Sequence, residues 1–527
     1  MYKVFVADKL ADEGVDALKH YPELEIDFSP GLSVAEAIPH AAAADAIIVR
    51  SETKIRGELL EAATKLRVVG RAGIGVDNID LEATTERGIV VLNTPDANAT
   101  TTAELAIAHM FSLSRHLPRA DSSVRGGKWE RSKFVGAELS GKCVGIVGFG
   151  TIGRIVANRC LGLNMKVLGF DPFVTASTFA DLGVEAADLD TLLERSDYVT
   201  LHCPVTKDTR GLLSRERLSA MKPGARLINC ARGGLIDEQA LVDLVNSGHL
   251  AGAALDVFDN EPPADSPLLD VPNILFTPHL GASTREAQTA VGVEIADQIA
   301  AFLIKGEVIN SVNTASVAPE KLEQLEPHMR LAKNLGQLLS LMVEEPLGEL
   351  SIGYYGHAAK LEKGPISNEA MVGLLQSHLS IPVNQVNAGH LAKRQGIQLT
   401  EMASEESRDY LSSIRVTGNA GETSLCLEGT LFDERYPRLV RVNDYQIEAV
   451  LEGHLIFTRH EDRPGVIGAV GEILGRKGIN IRRMQVGLAN DKDQAIAVIG
   501  VRDSLDAETL SEIGAIPAID RVLQAKF

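Results

Sequence analysis

The sequence predicts an α/β chain: two doubly wound parallel-sheet units followed by two smaller units of mixed strand and helix. Three observations carry this. Short aliphatic runs alternate with helix-like stretches from residue 3 to residue 276. One of those runs opens directly into a glycine-rich turn and a helical pattern. Beyond residue 310 the regular alternation gives way to mixed strand and helix signals.

In chain order, residues 3–7 (KVFVA), 46–49 (AIIV), 68–70 and 89–92 read as buried strands separated by helix-like or loop segments. This is a complete βα alternation before the glycine loop begins, so a separate first domain is expected. Residues 98–117 (NATTTAELAIAHMFSLSRHL) carry a Thr-rich start, Glu104 in the early turns and a long apolar stripe. They predict a helix crossing between domains.

The run 144–147 ends in Gly148-Phe149-Gly150-Thr151-Ile152-Gly153 and passes into the helical pattern 154–161. Each glycine has a physical task. Gly148 allows the tight turn, Gly150 lets the backbone approach a pyrophosphate, and Gly153 lets the helix lie close to the strand. The diphosphate then sits at the positive N-terminus of that helix. Alone, the G-x-G-x-x-G spacing is a weak signal, because glycine-rich turns without a ligand are common. Here a second strand, 166–170, follows and ends in Asp171, where an acid that binds ribose is expected. A carboxylate at that point accepts from ribose hydroxyls and repels a 2′-phosphate, which favours NAD over NADP.

Strand-like runs continue at 198–201, 226–229, 253–257 and 274–276, and the uninterrupted helical pattern from 283 onward most simply returns to the first domain. Residues 310–319 (NSVNTASVAP) form a polar boundary. Residues 320–342 are helical, and the mixed signals that run on to 453 contain no chemical motif. A compact segment of βαββαβ length begins at residue 454, with LIFT, then HEDRPGVI, a helix to about residue 477, and GINI. The expected domains are 1–97 with 283–310, then 98–282, 311–453 and 454–527.

Composition bounds the function. A chain of 527 residues holds three or four domains, and 45% hydrophobic content with only 4% aromatic points to aliphatic α/β layers. A formal charge of −19 argues against sequence-independent nucleic-acid binding, which needs a cationic surface. The five cysteines (143, 160, 203, 230, 426) are scattered without a C-x-x-C or a His/Cys cluster, so neither disulfides nor a metal site is expected. MYKVFVADKL starts directly as a strand, and no run of about 18 apolar residues occurs. No targeting peptide and no membrane partner is expected, and the expected location is the cytoplasm.

Three polar positions follow predicted strands, where ligands meet an open α/β sheet. Arg232 lies in CARGG after RLIN, Glu261 in DNEPP after ALDVF, and His279 in TPHLG after NILF. An arginine clamps a carboxylate bidentately. A histidine exchanges a proton with a hydroxyl near neutral pH, and a carboxylate beside it fixes its tautomer. Singly, each has a bland reading, as a solvated loop arginine, a Glu-Pro turn or a structural histidine. Together, at successive strand ends after a dinucleotide loop, they supply what oxidation of a 2-hydroxy acid needs beside nicotinamide.

LINCARGGLIDEQAL, ALDVFDNEPP and TPHLGAST resemble the signatures of the D-isomer-specific 2-hydroxyacid dehydrogenases. In that family the Arg, Glu and His of these motifs have the roles just derived, on a Rossmann NAD-binding domain beside a substrate-binding domain. The stretches RSETK (50–54), RAGIGVDN (71–78), NATTTAE (98–104) and GKWER (127–131) resemble the members that act on 3-phosphoglycerate. The tail resembles a ferredoxin-like ACT domain, and the segment before it resembles the extra α+β domain of the long form.

Position by position, the resemblance implies that Arg50, Ser51, Arg71 and Asn98 contact 3-phosphoglycerate and that Arg131 reaches its phosphate from a neighbouring subunit. Cys203, Pro204, Cys230, Ala231, Asp256, Gly281 and Ala282 would line the nicotinamide end of the NAD site, with Arg232 and His279. Cys203 stands where many relatives have threonine. His460, Asp462 and Asn480 match positions that bind serine in feedback-inhibited relatives, with Asp462 in place of the asparagine often seen there. The resemblance therefore implies entry into L-serine synthesis, L-serine as an effector, and a homo-oligomer paired through ACT sheet edges. Two alternatives stay open. One is a dehydrogenase for another D-2-hydroxy acid, against which Arg50, Arg71 and Arg131 speak. The other is an NAD-sensing scaffold like the corepressors sharing this fold, against which the ACT-like tail speaks.

Overall fold

Five strands open the chain: β1 (Tyr2–Val6), β2 (Leu24–Phe28), β3 (Ala46–Val49), β4 (Val68–Arg71) and β5 (Val90–Asn93). They pair parallel in the order β2-β1-β3-β4-β5, a doubly wound topology. Central strands such as AIIV are buried on both faces and so read as continuous apolar runs. Val4, Val6 and Ile48 pack on one side with Ile295 and Ile299 of the helix Arg285–Lys305; Phe5, Ile47 and Val69 pack on the other. That helix is long and apolar enough to cross a membrane by composition, but its buried residues serve this core. A Cβ on Gly14 would lie 2.8 Å from the Gly292 backbone, so two helices touch there main chain to main chain. The computed structural model describes residues 1–314, 319–379, 381–407, 409–421, 423–489 and 493–527.

The second sheet is also wholly parallel. β6 (Cys143–Val147), β7 (Lys166–Phe170), β8 (Glu185–Ala186), β9 (Tyr198–Leu201), β10 (Arg226–Asn229), β11 (Gly252–Leu255) and β12 (Ile274–Phe276) lie in the order β12-β11-β10-β9-β6-β7-β8. Counted within the sheet this is 3-2-1-4-5-6-7, the dinucleotide-binding order, with its switch point between β6 and β9. The helix expected over 98–117 forms as Ala99–Arg115 and ends at His116, which is left-handed (φ 53°); a second helix, Leu117–Arg125, then starts.

Residues 310–314 of the polar boundary 310–319 are described, with Ser311–Thr314 flanking β5, and 315–318 lie outside the described residues. Asn313 fastens the segment, accepting from Val91 N at 2.9 Å and donating to the Ile89 carbonyl at 2.9 Å.

The remaining strands are β13 (Glu349–Gly356), β14 (Gln398–Ser404), β15 (Ser412–Ala420), β16 (Thr423–Phe432), β17 (Tyr436–Val442), β18 (Tyr445–Val450), β19 (His454–Glu461), β20 (Ile481–Ala489), β21 (Gln494–Val501) and β22 (Ile519–Lys526). From β19 onward the order β20-β21-β19-β22 is antiparallel, with the helices Val466–Arg476 and Ala507–Gly514 packed on one face: a ferredoxin-like βαββαβ unit. The two C-terminal units share one ten-stranded sheet, because β18 pairs with β20 at Tyr445–Ala489 and Gln446–Leu488. They also share one core: Leu455, Phe457 and Val498 pack with Leu335 and Leu339 of the long helix Pro319–Met342.

Candidate active site

The glycine turn after β6 is shaped by backbone contacts. Gly148 is left-handed (φ 92°), and a Cβ there would lie 2.6–2.7 Å from the main chain of His202 and Cys203. A Cβ on Gly153 would lie 2.2 Å from the Gly148 carbonyl oxygen, so the helix Thr151–Gly162 can sit against the turn only with glycine there. Gly150 differs, with no atom of the described residues within 4 Å of its would-be Cβ. Two glycines are thus required by the fold, and the third leaves open the space a diphosphate needs, at a helix N-terminus. Asp171 at the end of β7 accepts from Phe149 N at 2.8 Å and Phe173 N at 2.9 Å, which ties this carboxylate to the glycine loop itself. Ile152 is half-buried against the neighbouring core, and Thr151 donates to Asp96 at 3.2 Å.

Cys203 and the exposed Pro204 follow β9. Burial pushes the Cys203 thiol up to about 11, and burial raises Cys230 further, so neither is a thiolate at neutral pH. Asn229 builds the turn after β10, accepting from Ala231 N at 3.0 Å and donating to the Arg232 carbonyl at 2.8 Å.

His279 and Glu261, 18 residues apart, are paired: Nδ1 to Oε2 is 2.7 Å. A carboxylate only accepts, so Nδ1 carries a proton, and it is Nε2 that the neutral tautomer leaves with a lone pair. Burial pushes the Glu261 carboxyl up, but the His279 hydrogen bond and charge, with Phe258 N at 3.1 Å, outweigh it and hold the carboxyl below its ordinary value. His279 is left-handed (φ 55°), and its loop is clamped from below. Asp256, fully buried, accepts from Thr277 Oγ1, from Leu280 N at 2.7 Å and from Gly281 N at 2.8 Å. Thr102 donates to the Gly281 carbonyl at 2.7 Å, and His109 meets Thr277 at 3.1 Å. Asp256 thus has its acceptors committed to the loop; Gly281 is buried beside it and Ala282 is half-buried.

Across the cleft, Arg71 ends β4 with its Nε buried and lacking a hydrogen-bond partner among the described residues. Burial, then the charges of Arg232 and Arg50, push its guanidinium down to about 10. Three guanidiniums from two sheets therefore face one another. Gly73 and Gly75 make room for two of them, since a Cβ would lie 1.6 Å from Arg71 Nη1 and 1.8 Å from Arg232 Nη2 respectively. Arg232 Nε reaches Asp77 at 3.1 Å, bridging the two domains.

The loop bearing Arg50 and the exposed Ser51 is wrapped around Asp8, which is 2% exposed. Asp8 accepts from Arg50 N at 2.6 Å, Glu52 N at 3.2 Å, Thr53 N at 3.0 Å and Thr53 Oγ1 at 2.5 Å. Asn78 braces the loop from the other side, donating to the carbonyls of Arg50 at 3.0 Å and Thr53 at 2.6 Å. Asn98, 6% exposed, has its Oδ1 buried and without a hydrogen-bond partner among the described residues. Arg131 stands apart from this cluster, exposed on the short helix Arg131–Phe134 between the exposed Trp129 and Val135.

Sequence reasoning did not single out Asp8, Asp77, Asn78 or the Thr277–His109 contact. A signal existed for Asp8, the polar residue ending KVFVAD at the carboxyl end of β1.

In the C-terminal unit His460 is 2% exposed on β19 and meets Thr458 at 3.2 Å. Burial lowers its pKa, against the opposing charge of Asp462. Asp462 and Asn480 are exposed, and Asn480 has no hydrogen bond among the described residues.

Residues 107–281 match the D-isomer-specific 2-hydroxyacid dehydrogenase NAD-binding domain, which places the chain in that class of NAD-dependent oxidoreductases. Residues 324–443 match the D-3-phosphoglycerate dehydrogenase intervening domain, and 454–518 match the ACT domain. Over 523 residues the chain is 39% identical to D-3-phosphoglycerate dehydrogenase of Bacillus subtilis, with 98% of each chain covered. It is 40% identical to that of Archaeoglobus fulgidus, again with 98% of each covered. The chain belongs to the D-3-phosphoglycerate dehydrogenase family. Among solved structures, NAD-dependent formate dehydrogenase from Staphylococcus aureus in complex with NAD is 28% identical (TM-score 0.54), covering 60% of this chain and 100% of that one. The TT0316 protein of Thermus thermophilus is 36% identical (TM-score 0.55), covering 59% and 99%.

Proposed function

We propose that the chain oxidises 3-phospho-D-glycerate at C2 to 3-phosphohydroxypyruvate with NAD, the first step of phosphorylated L-serine synthesis. The observation that carries the reading is the meeting of Arg50, Arg71 and Arg232, with Arg71 partly desolvated among like charges. Such a cluster is tolerated where a multiply charged anion completes it. Arg232 holds the substrate carboxylate, and Arg50 and Arg71, with Ser51 and Asn98, hold the phosphate. Arg131 adds a contact from a neighbouring copy in a homo-oligomer. NAD, held by the 148–153 turn, Asp171 and the loops after β9, β10 and β12, supplies the acceptor for the C2 hydride. His279 Nε2 takes the hydroxyl proton, while Glu261 keeps Nδ1–H in place and offsets the imidazolium charge.

The working units in this proposal are a substrate domain (1–97 with 283–310), an NAD domain (98–282), an intervening domain (311–453) and an ACT domain (454–527). The ACT domain responds to L-serine through His460, Asp462 and Asn480. A cytoplasmic location is supported by five free thiols. The test is NADH formation from 3-phosphoglycerate against glycerate and lactate. Strong preference for the phosphorylated acid is expected; comparable rates on all three overturn the assignment.

A further inference from the structure

The C-terminal sheet turns one face to its own two helices and the other to the intervening unit. A cavity of about 330 Å³ lies on that second face, at the junction of the two units. This is within the range of small-molecule sites, roughly 300–1,000 Å³. One wall is apolar, formed by Phe457, Ile496 and Leu523 of β19, β21 and β22; Leu425 and Val442 face it from β16 and β17.

Beside that wall the chemistry changes. Arg459 and Arg521 also line the cavity, and they are direct cross-strand partners on β19 and β22, two register steps from the Phe457–Leu523 pair and so on the same face of the sheet. Like charges directly opposite on antiparallel strands are destabilising. Arg521 has a structural occupation, donating to the Met342 carbonyl at 2.7 Å and so capping the helix Pro319–Met342, with Glu344 at 3.2 Å. Among the described residues Arg459 has none of that kind: its one ion pair there, to Asp520, is 3.7 Å long and half-exposed. Two guanidiniums set against an aliphatic and aromatic wall form a receptor for a carboxylate attached to an apolar body.

We infer that this cavity binds a small apolar carboxylic acid, its carboxylate held by Arg459 and Arg521 and its chain laid on Phe457, Ile496 and Leu523. The site is distinct from the dehydrogenase cleft. Because its walls come from both C-terminal units, a bound acid ties them together. Two sources share this chemistry, an apolar α-amino acid and its 2-oxo counterpart. Glu345, which lines the same cavity and has no ion pair among the described residues, would face the ammonium of the former.

Calorimetric titration of the intact, NAD-loaded protein with L-leucine and with 4-methyl-2-oxopentanoate tests the site, since the probes share body and carboxylate and differ in the ammonium. Saturable one-site binding of at least one probe is expected, weakened about tenfold or more by Arg459→Gln through loss of a charged hydrogen bond. Leu425→Trp, which fills the cavity from the opposite wall, should abolish it. Turnover on 3-phosphoglycerate monitors folding of both variants, as neither residue belongs to the dehydrogenase site. Glu345→Gln assigns the source: a loss confined to leucine supports the amino acid, and no change for either probe supports the oxo acid. No saturable heat from either probe at millimolar concentration, or binding unchanged in Arg459→Gln, overturns the inference.

Discussion

Asp8→Asn removes one charge and changes almost no volume, yet it should disable substrate binding from a buried position. Every group that meets the Asp8 carboxylate is a donor: three main-chain N–H groups and the Thr53 hydroxyl. An amide offers one oxygen and turns an NH₂ toward the rest. If the oxygen keeps Arg50 N and Glu52 N, the Thr53 hydroxyl can rotate to accept, but Thr53 N loses its shorter bond. If the amide is flipped, the 2.6 Å bond from Arg50 N becomes a donor–donor contact. One to two charge-assisted hydrogen bonds are lost either way, each contributing about 1.5–3 kcal/mol. The loop recovers part of this by turning to water, so a net loss of about 1.5–3 kcal/mol in holding the Arg50–Ser51 loop in place is expected. At about 1.4 kcal/mol per decade, KM for 3-phosphoglycerate should rise roughly 10–100-fold. KM for NAD should stay put, since Asp8 lies on β1's sheet and the glycine turn on the other. Steady-state kinetics with each substrate varied, beside a thermal melt, is the assay. Equal rises in both KM values, or an unchanged KM for phosphoglycerate, would refute the argument that Asp8 positions the phosphate loop. Thr53→Val, which removes only the hydroxyl bond, should show a smaller effect in the same direction.

His279→Ala should lower turnover about 10²–10⁴-fold with NAD affinity unchanged; a fall of less than tenfold would mean another group moves the proton. Gly150→Ala should leave the melting temperature unchanged, because no protein atom lies within 4 Å of the new methyl, and should raise KM for NAD. A drop in stability instead would show that the space is not kept for a ligand. Gly73→Ala should do the converse, raising KM for phosphoglycerate, since its Cβ falls on Arg71 Nη1 and its φ is 139°; an unmoved KM would take Arg71 out of the substrate site. The Glu261 carboxyl is held below its ordinary value in the folded protein. Its pairing therefore contributes fully above the unfolded carboxyl range and fades as acid carries the pH down through the folded value. The stability difference between the parent and Glu261→Gln should therefore shrink as the pH falls through the carboxylate range. A difference that persists into stronger acid would break the pairing argument.

The parts legible in the sequence are those whose cause is local. G-x-G-x-x-G works through contacts within a strand, a turn and a helix, so Gly148 and Gly153 could be assigned before any coordinates. Arg232, Glu261 and His279 each follow an aliphatic run, and strand ends are where an open parallel sheet meets its ligands. What was not legible is set by neighbours distant in sequence. β2 (LEIDF) escaped because it is an edge strand with an exposed, alternating pattern, and β8 is only two residues long. The split at His116 depends on one left-handed residue that propensity does not forecast. Asp8 gains its meaning from a loop 42–45 residues away, and Asp77 from an arginine 155 residues away.

The same distinction explains how the two halves of the cleft are held in register. Neither sheet closes the site alone. Arg232 crosses to Asp77, Thr151 at the helix N-terminus crosses to Asp96, and Thr102 on the connecting helix fixes the carbonyl of Gly281 beside the His279 loop. The first two of these contacts are exposed side-chain pairs, individually weak in water. Weak contacts suit a cleft that must open to exchange cofactor and close to exclude water around a hydride transfer. The third is buried, and together with Asp256 it fastens the histidine loop to the connecting helix and to the end of β11. Firm positioning of His279 and loose fastening of the cleft mouth are therefore different jobs. The first is built from buried carboxylate-to-amide bonds, the second from a solvated ion pair and a solvated hydroxyl-to-carboxylate bond. On the far side of the first domain, Glu86 meets His390 at 3.2 Å and Arg394 at 3.4 Å. Glu86 ends the helix Leu81–Glu86, whose N-cap Asp80 lies three residues beyond Asp77. The intervening unit thus bears on the helix whose start lies next to the residue that holds Arg232.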